Sequence, residues 1–320
     1  MKLLITGGLG FVGTNLLQKI ISSSEYSQIT VLDSLLYTSN PELLKDYNKV
    51  KKFRFVEGDI RDTDLVKELL KDKDYVIHLA AQTFVDNSIN DSRIFFETNV
   101  LGTQSLLEAA RASNIKKVIH VSTDEVWGEA MNGRSFTEKD VYNPRNPYSA
   151  SKASSDHVVT SYGETYGINY NIVYLTNLVG PWQYPEKLIP SSIIKLILDT
   201  EKIKIYGDGK NIRTWLHVDD AINGILKVLK EAENKERYIL GGKIEITNLE
   251  LINKLLDLFG KSEYGIEFVS DRLGHDFRYA VDASKAKNIL HWEPERGLDQ
   301  ILSETIDWYK LNEEWWRKRI

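Results

Sequence analysis

The sequence contains no cysteine among its 320 residues. This absence excludes disulfide bonds, thiolate metal sites and a cysteine nucleophile, and we predict no metal site. A strong charge imbalance is also lacking, because 41 basic residues stand against 46 acidic ones and no basic block occurs along the chain. We therefore expect no nucleic-acid partner.

Long apolar runs are missing as well. No segment approaches the roughly 18 uninterrupted apolar residues that cross a bilayer. The apolar run at the N-terminus breaks at Gly7, which is too early for the hydrophobic region of a signal peptide. We expect no membrane partner and a cytoplasmic location.

Short apolar runs alternate instead with helical patterns. This alternation is typical of successive βαβ units, and runs that are apolar on both faces indicate parallel strands covered by helices. The sequence therefore predicts an α/β fold with a doubly wound parallel sheet of the Rossmann type. The predicted strands lie at 2–6, 28–33, 50–59, 74–81, 116–123, 169–177 and 237–242, and the predicted helices at 12–21, 65–72, 94–113, 148–166, 191–200 and 217–232.

The alternation breaks after Asn177, where Gly180, Pro181, Pro185 and Pro190 indicate a loop. The amphipathic helix at 217–232 and the strand after it would return the chain to the sheet. We therefore predict two discontinuous domains. A dinucleotide-binding domain would comprise 1–176 and 214–241, and a smaller mixed α/β substrate domain 177–213 and 242–320.

Gly7, Gly10 and Gly13 follow the first strand and open a helix. A glycine-rich turn in this context places a pyrophosphate on the helix N-terminus, although a turn that serves only packing has the same glycines. Asp33 ends the second strand about 20 residues later, where a carboxylate accepts hydrogen bonds from an adenosine ribose and repels a 2′-phosphate. This pairing favours NAD over NADP as cofactor.

The carboxyl ends of the neighbouring strands would lie along the same edge of the sheet. They contribute Asp59, Ala80 and Ala81 as contacts of the adenine and the nicotinamide ribose. The remaining predicted cofactor contacts are Phe11, Val12, Ser34, Ile60, Leu79, Thr98, Tyr148, Lys152 and Leu178.

The predicted strand 116–123 runs directly into Thr123, Asp124 and Glu125. Adjacent acids in different surroundings serve as a general acid and a general base, although an acid pair in a loop is more commonly solvated or caps a helix. Tyr148 and Lys152 stand four residues apart, on one face of a predicted helix. An ammonium group and a helix N-terminus would favour the phenolate of such a tyrosine, although a surface packing pair has the same spacing.

Taken together, the glycine turn, the Thr123 strand end and the Tyr148-x-x-x-Lys152 pair resemble the extended short-chain dehydrogenase/reductase family over the whole chain. Thr123-Asp124-Glu125 resembles the triad of one branch, the dTDP-glucose 4,6-dehydratases. Four further stretches resemble that branch, at 80–89, 185–190, 213–220 and 271–292.

This resemblance implies a lyase reaction in which NAD is used and regenerated. Tyr148, assisted by Lys152, would take the proton of the sugar 4-hydroxyl, held by Thr123, while hydride passes from C4 to the cofactor. Glu125 would then remove the C5 proton and Asp124 would protonate the departing C6 hydroxyl. Hydride would finally return to C6, giving a 4-keto-6-deoxy sugar.

The resemblance also implies a nucleotide-diphosphate sugar as partner. The arginines among its contacts suit a diphosphate, although Arg213 could instead pair with Asp219 or Asp220, and His275 could be structural. The implied substrate contacts are Thr83, Thr123, Asn177, Lys187, Leu188, Lys204, Tyr206, Arg213, Asn248, Arg272 and His275.

Several departures from that branch bear on how the nucleotide and sugar are held, including Trp127 in place of a tyrosine and Phe84 in place of a histidine. A UDP-sugar 4,6-dehydratase, a 4-epimerase or decarboxylase of the same family, and a catalytically silent NAD-sensing protein therefore stay open as alternatives. The apolar helical segments at 97–111 and 154–167 suggest a homodimer, although covering the sheet would explain the same residues.

Overall fold

The computed structural model describes residues 1–131 and 133–320. Its strands are β1 (Lys2–Thr6), β2 (Gln28–Asp33), β3 (Phe53–Glu57), β4 (Tyr75–His78), β5 (Lys117–Thr123), β6 (Tyr170–Leu175), β7 (Asn177–Val179), β8 (Ile203–Tyr206), β9 (Ile212–His217), β10 (Glu236–Leu240), β11 (Glu245–Thr247) and β12 (Ile266–Val269). Its α-helices are α1 (Phe11–Ile20), α2 (Leu44–Tyr47), α3 (Thr63–Leu70), α4 (Val85–Asn90), α5 (Arg93–Phe95), α6 (Gly102–Arg111), α7 (Pro147–Tyr166), α8 (Leu188–Leu198), α9 (Val218–Glu231), α10 (Asn248–Phe259), α11 (Ser284–Leu290), α12 (Leu298–Leu311) and α13 (Glu313–Arg317).

Seven strands form one parallel sheet in the order β10-β6-β5-β4-β1-β2-β3. The strand order reverses between β1 and β4, and ligands of open α/β sheets bind outside the carboxyl ends of the strands at such a point. The predicted doubly wound parallel sheet is confirmed.

Both faces of this sheet are buried, as the sequence pattern predicts. Successive side chains of a strand point to opposite faces, so Leu3 and Ile5 of β1 join an apolar cluster with α1 and α9, while Leu4 joins a second cluster with α3, α6 and α7. All three side chains are fully buried. Burial on both faces explains why these strands are continuous apolar runs.

The chain leaves the large sheet after β6 and builds two small sheets, β11-β9-β7 and β12-β8. A third apolar cluster packs here between α8, α10 and α12. The chain returns to the large sheet through α9 and β10, which pairs with β6. The course of the chain agrees with the break expected after Asn177, and the domain boundaries given above stay a prediction.

The predicted helix at 94–113 differs from the structure in its middle, because Phe96–Leu101 forms a π-helix between α5 and α6. Such segments widen a helix by one residue per turn and are frequent at functional sites. Here the segment presents Asn99, which donates to Gln82 O at 3.0 Å and to Ser151 Oγ at 2.8 Å. Asn99 thus ties the segment after β4 to α7.

Within residues 1–131 and 133–320, the helices are all too short or too polar to cross a membrane.

Candidate active site

One cavity of about 910 Å³ lies at the carboxyl edge of the large sheet and is lined from both the large and the small sheets. It brings together every site residue predicted from the sequence. These are Gly7, Gly10, Phe11, Val12, Gly13, Asp33, Ser34, Asp59, Ile60, Leu79, Ala80, Ala81, Thr83, Thr98, Thr123, Asp124, Glu125, Tyr148, Lys152, Asn177, Leu178, Lys187, Leu188, Lys204, Tyr206, Arg213, Asn248, Arg272 and His275.

Glycine is required at two positions of the turn after β1. Gly7 has a φ of +68°, and a Cβ there would lie 2.6 Å from Ala80 N. A Cβ on Gly13 would lie 2.5 Å from Gly7 O. Helix α1 starts after Gly10, and its first turn carries no acidic residue and no side-chain cap. Its leading N–H groups are therefore suited to an anion such as a pyrophosphate.

Asp33 lies beside this turn with a fixed carboxylate. Its Oδ2 accepts a hydrogen bond from Leu9 N at 2.9 Å. Its Oδ1 accepts from Leu35 N at 2.9 Å and from Ser39 Oγ at 3.0 Å. Each carboxylate oxygen has more than one acceptor site, so Oδ2 retains capacity for a ribose hydroxyl.

The acid pair follows β5 in a 3-10 helix, Asp124–Trp127, which Thr123 caps by accepting from Glu125 N at 3.3 Å. Asp124 is only 3% exposed, and burial together with the Glu125 charge raises its pKa to about 8. Its Oδ1 accepts from Thr123 Oγ1 at 3.4 Å. Burial therefore favours the protonated form of Asp124, which can act as a general acid.

Glu125 has different surroundings from its neighbour. It is half-buried, and its Oε2 accepts hydrogen bonds from Asn146 Nδ2 and Tyr279 Oη, each at 3.4 Å. The same Tyr279 hydroxyl lies 2.8 Å from Asp276 Oδ2, so its single proton is shared between the two carboxylates. The two adjacent acids thus occupy separate environments, which is the arrangement that lets one donate and the other accept a proton.

Tyr148 and Lys152 lie in the first two turns of α7, which Asn146 caps in a capping box. Lys152 Nζ donates to Val121 O at 2.8 Å, and burial lowers the pKa of Lys152 to about 8. Burial and the Glu125 charge raise the pKa of Tyr148 above its ordinary value. The preference for the phenolate expected from the neighbouring ammonium stays a prediction, and burial and the Glu125 charge act against it.

Arg213 is held by backbone carbonyls and an aromatic ring. Its Nη2 donates to Asp276 O at 2.8 Å, and its guanidinium lies 4.1 Å from the centroid of the Tyr279 ring. The alternative pairing with Asp219 or Asp220 is wrong, because both of these carboxylates pair with Arg296. Arg213 therefore lines the cavity without a carboxylate partner from α9.

Arg272 makes a two-point ion pair with Asp86, with Nε to Oδ1 at 2.6 Å and Nη2 to Oδ2 at 2.8 Å. Its guanidinium also lies 4.9 Å from the centroid of the Tyr206 ring. His275 Nδ1 lies 2.7 Å from Asp271 Oδ1, and burial lowers the pKa of His275. Arg272 and His275 thus line the cavity with side chains that Asp86 and Asp271 hold in one orientation.

Several residues that line the cavity were not predicted from the sequence. Most lie in loops whose position depends on the tertiary fold. Asn146 had a recognisable signal, since an asparagine before Pro147 marks a helix start. Missed residues with side-chain hydrogen bonds include Asp86, Asn146, Gln183, Glu186 and Tyr279.

The parallel sheet and the open glycine turn at its carboxyl edge are those of the Rossmann class of α/β proteins. Residues 4–305 match the model of the GDP-mannose 4,6 dehydratase family, and the chain belongs to this family.

Three proteins are similar to the chain over nearly its whole length, and two of them are dTDP-glucose 4,6-dehydratases. The chain is 44% identical over 314 residues to the low-salt glycan biosynthesis protein Agl12 of Haloferax volcanii, covering 98% of this chain and 100% of that protein. It is 42% identical over 321 residues to a dTDP-glucose 4,6-dehydratase of Streptomyces antibioticus, covering 99% of this chain and 94% of that protein. The solved structure of DesIV, a dTDP-glucose 4,6-dehydratase of Streptomyces venezuelae with NAD bound, superposes with a TM-score of 0.95 at 40% identity, covering 100% of both chains. The resemblance drawn from the motifs is confirmed.

Proposed function

We propose that this chain converts dTDP-glucose to dTDP-4-keto-6-deoxyglucose by NAD-dependent dehydration. The observation that carries the proposal is the acid pair, in which a buried Asp124 with a pKa of about 8 adjoins a half-buried Glu125 in one cavity. Elimination of water needs both a proton donor and a proton acceptor. An epimerase eliminates nothing, and a sensor needs neither acid.

The residues around the glycine turn fit NAD. The open N-terminus of α1 suits the pyrophosphate, and Asp33 suits the adenosine ribose. When bound there, NAD supplies a nicotinamide that accepts a hydride from the sugar and gives it back. The division of the chain into a cofactor domain at 1–176 and 214–241 and a substrate domain at 177–213 and 242–320 is part of the same proposal.

Side chains of the protein would carry out the proton transfers. Tyr148 receives the proton of the sugar 4-hydroxyl, and the positive charge of a bound nicotinamide would oppose the burial that disfavours its phenolate. Glu125 removes the C5 proton, which the 4-keto group acidifies. Asp124 donates its proton to the C6 hydroxyl, which leaves as water.

The diphosphate is assigned to the cationic side of the cavity, where Arg213, Arg272 and Lys187 face the interior. Lys187 Nζ lies 4.6 Å from the centroid of the Phe84 ring. Guanidinium groups match a diphosphate with planar donor forks. The two dTDP-glucose 4,6-dehydratases named above support a dTDP-sugar as substrate over a UDP-sugar.

The test is turnover by the purified chain with NAD and either dTDP-glucose or UDP-glucose, followed by the alkaline absorbance of 4-keto-6-deoxy sugars. We expect product from dTDP-glucose. If product forms only from UDP-glucose, the proposed reaction stands and the proposed substrate is wrong. NAD binding with no product from either would favour the sensor.

A homodimer and a cytoplasmic location are proposed together with this activity. Phe96 and Leu101, at 40% and 56% exposure, and Tyr166, at 44%, place apolar surface on the π-helix and α7. Such surface is suited to a symmetric contact between two copies. Light scattering should give twice the mass of one chain, and a strict monomer at working concentration would contradict the dimer.

A further inference from the structure

The C-terminal segment 313–320, the tail, contacts the loop that follows β2. Trp315 Nε1 donates to Asn40 Oδ1 at 3.0 Å across 275 residues of sequence. Both partners are buried, with Asn40 at 0% and Trp315 at 8% exposure. A buried hydrogen bond of this kind leaves an unpaired acceptor when its donor is removed, which is costly.

Asn40 is also bound to the glycine turn. Its backbone N–H donates to Leu9 O at 2.8 Å, and its side-chain Nδ2 donates to Thr14 Oγ1 at 3.1 Å in the first turns of α1. The preceding Ser39 donates to Asp33 Oδ1. Asn40 therefore contacts the tail and the first turn of α1 through its side chain and the glycine turn through its backbone.

A second link runs along the surface. Arg319 Nη2 lies 2.8 Å from Glu42 Oε1 and 3.0 Å from Glu42 Oε2. The Arg319 guanidinium also lies 4.5 Å from the centroid of the Trp315 ring. The tail is therefore fastened to the 40–42 segment at a buried point and at a half-exposed one.

We propose that the tail positions the cofactor turn, with Trp315 acting through Asn40 to keep the turn and the loop after β2 ordered before NAD arrives. Trp315 touches no cofactor in this scheme and is a positioning residue. When only a fraction of molecules has a binding-competent turn, the apparent affinity falls by that fraction. The inference rests on the proposed binding of NAD at this turn.

The test compares two tryptophans of the tail in the full-length chain freed of nucleotide. Trp315→Phe removes the N–H directed at Asn40. Trp316→Phe is the matched control, because it removes a buried indole N–H that donates instead to Tyr309 O at 2.8 Å. Equilibrium dialysis should show NAD binding about tenfold weaker for Trp315→Phe and changed by less than about twofold for Trp316→Phe.

Equal NAD affinity in Trp315→Phe, Trp316→Phe and the unaltered chain would overturn this inference and leave the proposed function intact. Failure of the unaltered chain to bind NAD would overturn both. Thermal unfolding checks that the variants fold. If Trp315→Phe does not fold, Glu42→Gln removes the negative charge from the half-exposed link instead and should weaken NAD binding about threefold. Unchanged affinity in that variant would also overturn the inference.

Discussion

Asp86 and Arg272 are 186 residues apart in sequence and form a two-point ion pair inside the cavity. Asp86 belongs to α4, beside the large sheet, and Arg272 follows β12 in a small sheet. The pair thus fixes the orientation of the Arg272 guanidinium, which the proposed function assigns to the diphosphate. Pre-orientation of this kind reduces the entropy lost on binding.

Replacement of Arg272 by lysine should weaken substrate binding more than turnover. Lysine keeps the positive charge and loses the fork that pairs with Asp86 and suits a diphosphate. We expect KM for dTDP-glucose to rise about tenfold or more with a smaller change in kcat. Arg296→Lys is the control, because Arg296 pairs with Asp220 outside the cavity. Equal effects of both substitutions would contradict the role given to Arg272.

Asp33→Asn should change cofactor selection. The substitution removes the charge that repels a 2′-phosphate and retains one oxygen acceptor for Leu9 N or Ser39 Oγ. We expect NAD binding to weaken about tenfold and the preference for NAD over NADP to narrow. The dissociation constants of NAD and NADP measure this preference. An unchanged preference would contradict the assignment of Asp33 to the adenosine ribose.

The pKa of Asp124 predicts a pH dependence of catalysis. Asp124 donates a proton only in its protonated form, and its pKa is about 8, so the elimination rate should fall as the pH rises through about 8. Lys152 also loses its proton near this pH, and the elimination step must therefore be measured apart from the oxidation at C4. Pre-formed 4-keto sugar in single turnover separates the two steps.

The same shift has a consequence for stability. Because the folded pKa of Asp124 lies above the ordinary carboxyl value, its contribution to stability is present at low pH and is lost as the pH rises from about 4 to about 8. The asparagine of Asp124→Asn cannot ionise, so the variant does not undergo this loss. The free energy of unfolding of the variant should therefore rise relative to that of the unaltered protein as the pH increases from about 4 to about 8. Asp140→Asn is the opposite control, since hydrogen bonds from Thr137 lower the pKa of Asp140. Parallel pH profiles for the unaltered protein and Asp124→Asn would contradict the buried, protonated Asp124.

The large sheet could be predicted from the sequence because its strands are apolar on both faces and its helices have a clear period. The strands of the small sheets, β7, β8, β9, β11 and β12, are absent from the prediction. Of these, β7 and β11 have three residues each, which are too few to show alternation. The π-helix at Phe96–Leu101 was missed because its extra residue per turn barely changes the apolar pattern.

The cavity residues could be predicted where a motif ties residue type to position along the sheet edge, as for Asp33 and the glycine turn. The partners of Arg213 and the pKa of Tyr148 could not, because both depend on burial by segments distant in sequence. Asp86 was missed as a contact for the same reason, since its partner Arg272 lies 186 residues away.

The most direct test of the account follows Glu125→Gln through a single turnover with NAD and dTDP-glucose. We expect reduced cofactor to accumulate, because oxidation at C4 does not use Glu125, while formation of the 4-keto-6-deoxy product falls about 10²- to 10⁴-fold. Asn146→Ser removes the 3.4 Å contact to Glu125 and keeps a residue type that caps α7, so product formation in this variant should fall far less. Product formed by Glu125→Gln at the rate of the unaltered protein would contradict the assignment of Glu125 as the base, and with it the proposed elimination.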